Sequence, residues 1–201
     1  MMRTMVSVWL LRLALLVMAG AVSACGTGAP SAAGVTAAVR QPGINCAPFA
    51  RELSGVALYG EAADWWGAAA GRYGRGQAPQ IGAVLVLPRQ ERLPSGHVAV
   101  VSLVLAARQI KVIQANWEED VVDEDQLVVD VSEHNDWSAI RVWYPPVNQM
   151  GEHTYRASGF IAPPLPVTHA ELARAVAAAT RFAMDTTGRP PPRARRYAAN
   201  P

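Results

Sequence analysis

Cysteine is nearly absent: the 201 residues hold two, Cys25 and Cys46. That excludes a disulfide-stapled scaffold and leaves each thiol to be explained singly. Lysine is scarcer still, with Lys111 alone, so the formal net charge of +2 rests almost wholly on arginine, and Arg189, Arg193, Arg195 and Arg196 crowd the C-terminal end. So slight a basicity gives no reason to expect nucleic acid as a partner. Long apolar runs are missing apart from Leu13 to Val22, which is too short to cross a membrane. No cysteine or second histidine stands at ligand spacing around His134, His153 or His169, so no metal is expected, and no motif asks for a cofactor. The three histidines read instead as turn, loop and helix-cap residues. What is present is a 51% hydrophobic chain, enough for one domain with a buried core.

Arg3 and Arg12 flank the start of the apolar run and the small residues Ser23 and Ala24 end it, which is the pattern of a secretory signal over residues 1–24. The junction Val22-Ser23-Ala24-Cys25-Gly26 resembles the lipobox of bacterial lipoproteins. That resemblance implies lipidation of Cys25 and an exported protein held at a membrane, in the periplasm or at the outer membrane. The same small residues also suit cleavage by ordinary signal peptidase, which would leave a soluble, secreted chain. A third reading pairs Cys25 with Cys46 in a disulfide, although that bond would close little structure.

Residues 25–42 are mostly Ala, Gly, Ser, Thr and Pro without apolar period, and read as a flexible tether. From 43 to 164 the composition turns globular. Asn45 before Cys46-Ala47-Pro48-Phe49 predicts a helix start with Cys46 on its first turn, and a second helix is expected over about 62–73. Ala83 to Leu87, Val98 to Leu105, Ile110 to Gln114, Leu127 to Val131 and Ala139 to Trp143 are short and rich in Val, Ile and Leu, and Ser158 to Ala162 offers a last strand. Helices first and strands after predict an α+β domain with an antiparallel sheet. Thr168-His169-Ala170-Glu171 is a capping box that opens an amphipathic helix within 165–186, and the Pro/Arg-rich residues 187–201 read as a disordered tail.

A thiol nucleophile needs a lowered pKa, which a helix N-terminus supplies in part and an imidazolium completes. Cys46 is placed for the first effect. His97, opening the apolar stretch Gly96-His97-Val98-Ala99-Val100-Val101, has the fixed backbone that a general base requires. The next strand ends in Ile113-Gln114-Ala115-Asn116-Trp117, which offers Gln114 or Asn116 to orient the imidazole.

At this point the residues resemble the CHAP family of cysteine- and histidine-dependent amidohydrolases and peptidases. The matching segments are Asn45-Cys46-Ala47, Ala63-Asp64-Trp65-Trp66, Ile81-Gly82-Ala83-Val84-Leu85-Val86, Gly96-His97-Val98-Ala99-Val100-Val101 and Gln114-Ala115-Asn116-Trp117. The resemblance implies a papain-like CHAP fold, with Cys46 as nucleophile, His97 as base and then acid, and Asn116 as the residue that orients the ring. It also implies peptidoglycan as partner, its amide or peptide bonds as substrate, a thioester intermediate, and a monomer without cofactor. Trp117, Trp66 and Gln114 are the expected substrate contacts, although tryptophans read first as core. The sequence departs from the family where Gln114 stands in place of an acidic residue and Ala83 in place of an aspartate. An amide does not balance the charge of an imidazolium, so the alternative is a catalytically weak or inactive CHAP-like wall-binding module.

Overall fold

Asn45 is extended (φ −126°, ψ 145°), and helix α1 begins at the next residue and runs Cys46–Ser54. The Asn45 side chain makes no capping bond, so the start is set by the extended backbone and by Pro48, whose missing N–H costs nothing in a first turn. Phe49, Ala50 and Leu53 form the buried stripe, and Gly55 ends the helix at φ 70°, its N–H meeting the Arg51 carbonyl at 3.0 Å. In this computed structural model residues 37–176 are described. The signal, Cys25 and the Pro/Arg-rich tail lie outside the described residues.

The second helical stretch is shorter than expected: a 3-10 turn at Ala62–Asp64 leads into α2, Trp65–Ala68, and turns follow to residue 73. Gly67 weakens helix propensity there, and Gly71 takes φ 70°, outside the helical region. Trp65 is fully buried and anchors the stretch.

The strands are β1 (Ala37–Arg40), β2 (Arg75–Gly76), β3 (Val84–Leu87), β4 (His97–Ala106), β5 (Gln109–Ala115), β6 (Val121–Asp130), β7 (Ala139–Tyr144), β8 (Gln149–Met150), β9 (Tyr155–Arg156) and β10 (Gly159–Ile161). They form one antiparallel sheet in the order β2-β10-β3-β4-β5-β6-β7-β8, with β1 added on β6 and β9 on β7. Two expectations are corrected here. Ala37–Arg40, expected in the tether, pairs with β6 in the register Ala37↔Glu124 to Arg40↔Val121. A four-residue strand held mainly by its main chain leaves no pattern for composition to show. Strand β6 starts at Val121 rather than near Leu127, because Asp123, Glu124 and Asp125 mask its alternation.

Side chains alternate across the sheet as pleating requires. Val84, Val86, Val98, Val100, Ile113 and Ala115 pack with α1 and Trp65 in one core cluster. Leu85, Leu87, Ala99, Val101 and Val112 pack with Trp137, Ile140 and Phe160 in the other. Burial on both faces explains why β3 and the first half of β4 read as continuous apolar runs. The capping box forms as the spacing predicts: Glu171 N–H donates to Thr168 Oγ1 at 3.2 Å and Thr168 N–H to Glu171 Oε2 at 2.8 Å. The helix it opens is described over 169–176 and buries Leu172 and Val176 in the cluster that contains α1. His169 Nε2 lies 3.1 Å from Asp125 Oδ2 and ties the helix start to β6.

Gly96 sits immediately before His97 with φ 70°, and a Cβ there would lie 2.6 Å from both the Ala63 nitrogen and the Leu87 oxygen. Those atoms are backbone and do not yield. With Ala63 N–H bonded to the Ser95 carbonyl at 2.9 Å, this close approach fixes where β4 begins. Gly96→Ala is therefore expected to lower stability by about 1–3 kcal/mol through strain and displacement, seen as a fall in Tm by circular dichroism. A Tm within a degree of the parent would show that the loop relaxes freely.

Candidate active site

Cys46 is a free thiol, half-buried at the first position of α1. Burial pushes the thiol pKa up. Against this act the charge of the His97 ring, a hydrogen bond with that ring, and backbone hydrogen bonds from Val98 and Ala47, and together they bring it below the ordinary thiol value. The Ala47 contribution follows from sequence position, since the first-turn amides of a helix have no partners of their own.

His97 is 3% exposed at the start of β4, and its Nε2 lies 2.8 Å from Gln114 Oε1. Gln114 Nε2 in turn donates to Gln126 Oε1, and Gln126 Nε2 donates to the Trp143 carbonyl at 2.8 Å. These residues stand on β4, β5, β6 and β7, four neighbours in the sheet. With Nε2 engaged by an acceptor, Nδ1 is the ring nitrogen left for the sulfur.

The structure places Gln114, not Asn116, against the imidazole. Asn116 has left the strand conformation (φ 59°), and its Oδ1 accepts the Asp120 N–H at 3.1 Å. Asp120 then receives Gly43 N–H on its carboxylate at 2.7 Å and Gln41 N–H on its carbonyl at 2.5 Å. Asn116 thus braces the segment that leads into Cys46. The stretch between β5 and β6, Asn116-Trp117-Glu118-Glu119-Asp120, carries no sequence signal of its link to residues 41–43.

Trp117 stands edge-on to His97 with ring centroids 5.1 Å apart, and edge-on to Tyr155 at 5.0 Å. Beyond it opens a cleft of about 710 Å³, lined among others by Arg92, Glu118, Trp143, Glu152 and His153. Trp66 is elsewhere, packed on the main core beneath the Arg75 guanidinium, which lies 4.9 Å from its ring. Of the three expected contacts, then, Gln114 and Trp117 touch His97 and Trp66 packs with Arg75.

Two residues that sequence reasoning passed over complete the surroundings. Gln126 is fully buried, and Asp123, 1% exposed, pairs with Gln114 in the strand register while neither of its oxygens has a hydrogen-bond partner. Burial and the nearby Glu118 charge push the Asp123 pKa up to about 6, against the opposing pull of His97. Both lie in an acidic stretch that reads as surface.

Two measurements follow from these charges. The rate of Cys46 alkylation against pH is expected to have its midpoint below the ordinary thiol value. In His97→Ala, where burial remains and the ring's charge and hydrogen bond are gone, it moves up; equal midpoints in the two proteins would contradict the coupling. For Asp123, a folded-state pKa above the unfolded one means that the fold binds this proton more tightly, so its contribution to stability is lost as pH rises from about 4 to about 6. Asp123→Asn is expected to raise stability at pH 7 by about 2–3 kcal/mol, with the gain gone below pH ~4 in thermal unfolding. A gain independent of pH would not come from this carboxylate.

No curated protein and no solved structure matches the chain. The model of the CHAP domain matches residues 36–116, a stretch that takes in β1, α1 and the strands through β5 and so holds Cys46, His97 and Gln114. Over these residues the match agrees with the resemblance to the CHAP family that the sequence motifs carry.

Proposed function

We propose that this protein is a cell-envelope cysteine hydrolase that cleaves amide or peptide bonds of peptidoglycan through Cys46 and His97, in a papain-like arrangement. The CHAP domain points generally to peptidoglycan amidase or peptidase activity. The observation that carries the reading further is the depressed thiol at a helix start, beside an imidazole whose far nitrogen is already bonded to Gln114. A lone buried cysteine without such company would be a small hydrophobe.

In the proposed cycle the Cys46 thiolate attacks an amide carbonyl carbon, forming the C–S bond, and the carbonyl electrons move to oxygen. First-turn N–H groups of α1 favour that oxyanion. Collapse breaks the C–N bond as protonated His97 gives its proton to the leaving amine. Water then adds to the thioester while neutral His97 takes its proton; the C–S bond breaks, the acid leaves, and the thiolate–imidazolium pair returns. Throughout, Nε2–H stays on Gln114 and Nδ1 does the proton transfer. Trp117 and the cleft behind it are the proposed seat of the peptide stem. The N-terminal signal and Cys25 support export and a lipid anchor, which would hold the domain beside the wall.

The test is digestion of purified peptidoglycan with products read by mass. The parent is expected to release fragments with a new free carboxyl, Cys46→Ala none, and His97→Ala at a rate lower by about 100-fold or more. The same products from the parent and from Cys46→Ala would sink the hydrolase and leave a wall-binding module.

A further inference from the structure

Gln114 has an oxygen and a nitrogen at its tip, and only one of the two orientations suits a base at position 97. With Oε1 toward the ring, His97 carries its proton on Nε2 and offers Nδ1 to the thiol. With the amide reversed, Nε2–H of Gln114 would donate to the ring, the neutral imidazole would carry its proton on Nδ1, and that nitrogen could not take one from Cys46. The family's acidic residue at this position would face no such choice, because both its oxygens accept.

We infer that Gln126 is a positioning residue that sets the tautomer of His97 by fixing which end of Gln114 faces the ring. The polarity is decided at the far end. The Trp143 carbonyl only accepts, so Gln126 must turn Nε2 to it at 2.8 Å; its Oε1 then faces Gln114 and draws the Gln114 Nε2 donor away from His97. Gln114 and Gln126 are 2% and 0% exposed, so bulk water does not compete for these groups. Asp123, across from Gln114 in the register, makes no hydrogen bond to it, which leaves the hold on the amide to Gln126. The inference rests on the reading of Cys46 and His97 as the reacting pair, and not on the identity of the substrate.

The test compares Gln126→Met and Gln114→Glu, singly and together, by two readouts that need no peptidoglycan: the rate of Cys46 alkylation by iodoacetamide at pH 7, and the ring-nitrogen NMR shifts of His97, assigned with His97→Ala. Gln126→Met is expected to slow alkylation by about tenfold or more and to move neutral His97 toward the Nδ1–H form. In the Gln114→Glu background the same change should alter the rate by less than about twofold, since a carboxylate has no wrong end. Should the methionine variant fail to fold, Gln126→Asn, too short to bridge both neighbours, takes its place with the same expectation. An unchanged tautomer, or an equal slowing in both backgrounds, overturns the inference and makes Gln126 merely structural. A protein that passes this test yet leaves peptidoglycan intact would refute the substrate and not the positioning.

Discussion

A peptide carbonyl on β7 accepts a hydrogen bond and cannot give one, and the hydrogen bonding of His97, three strands away, depends on that fact. From the Trp143 oxygen the sense of each donor is settled in turn through Gln126 and Gln114 to the far nitrogen of His97. The sheet makes this possible because β4, β5, β6 and β7 are consecutive neighbours, and the bulge between Val112 and Gln114 in the β5–β6 pairing re-aims the polar side chains. Elsewhere β4 and β5 bury Val and Ile on both faces, and Gln114 and Gln126 are themselves buried, so hydrogen-bond direction along the line is not scrambled by water.

Around that line the scaffold is tied down at both His97 and Cys46. His97 is located by Gly96, whose lack of a Cβ lets the β3–β4 turn sit against the backbone of Ala63. Cys46 is located by the Asn116–Asp120 turn, which accepts hydrogen bonds from the backbone of Gln41 and Gly43. The burial that raises the thiol pKa and the ring that lowers it come from separate elements, α1 in its core cluster and β4 at its first residue, so small displacements of either shift the balance.

Much of this was legible in the chain. The capping box at Thr168, the helix start before Cys46 and the apolar strands β3, β4 and β5 announce themselves because local chemistry and tertiary burial demand the same residues there. The order of Cys46, His97 and Gln114 was readable as well. The choice between Gln114 and Asn116 was not: two residues apart on a strand they share a face, and only the positive φ of Asn116 separates them. Asp123 and Gln126 were hidden for a related reason. In β6 the interior is polar, so the alternation that betrays a strand is replaced by a run of charges that looks like solvent-facing loop. The two-residue strands and β1 are too short for any period to register.

The stretch that the family model covers stops at residue 116, whereas the interior does not. Gln126 and Trp143 lie beyond it, and Leu172 and Val176 fill the same core cluster as Phe49 and Leu53 of the helix that bears the thiol. The folded unit around the site thus extends over the described residues to Val176. A transplant trimmed to the family boundary would carry Cys46 and His97 into a new host and leave behind both the wall of their core and the carbonyl that ends their hydrogen-bond line.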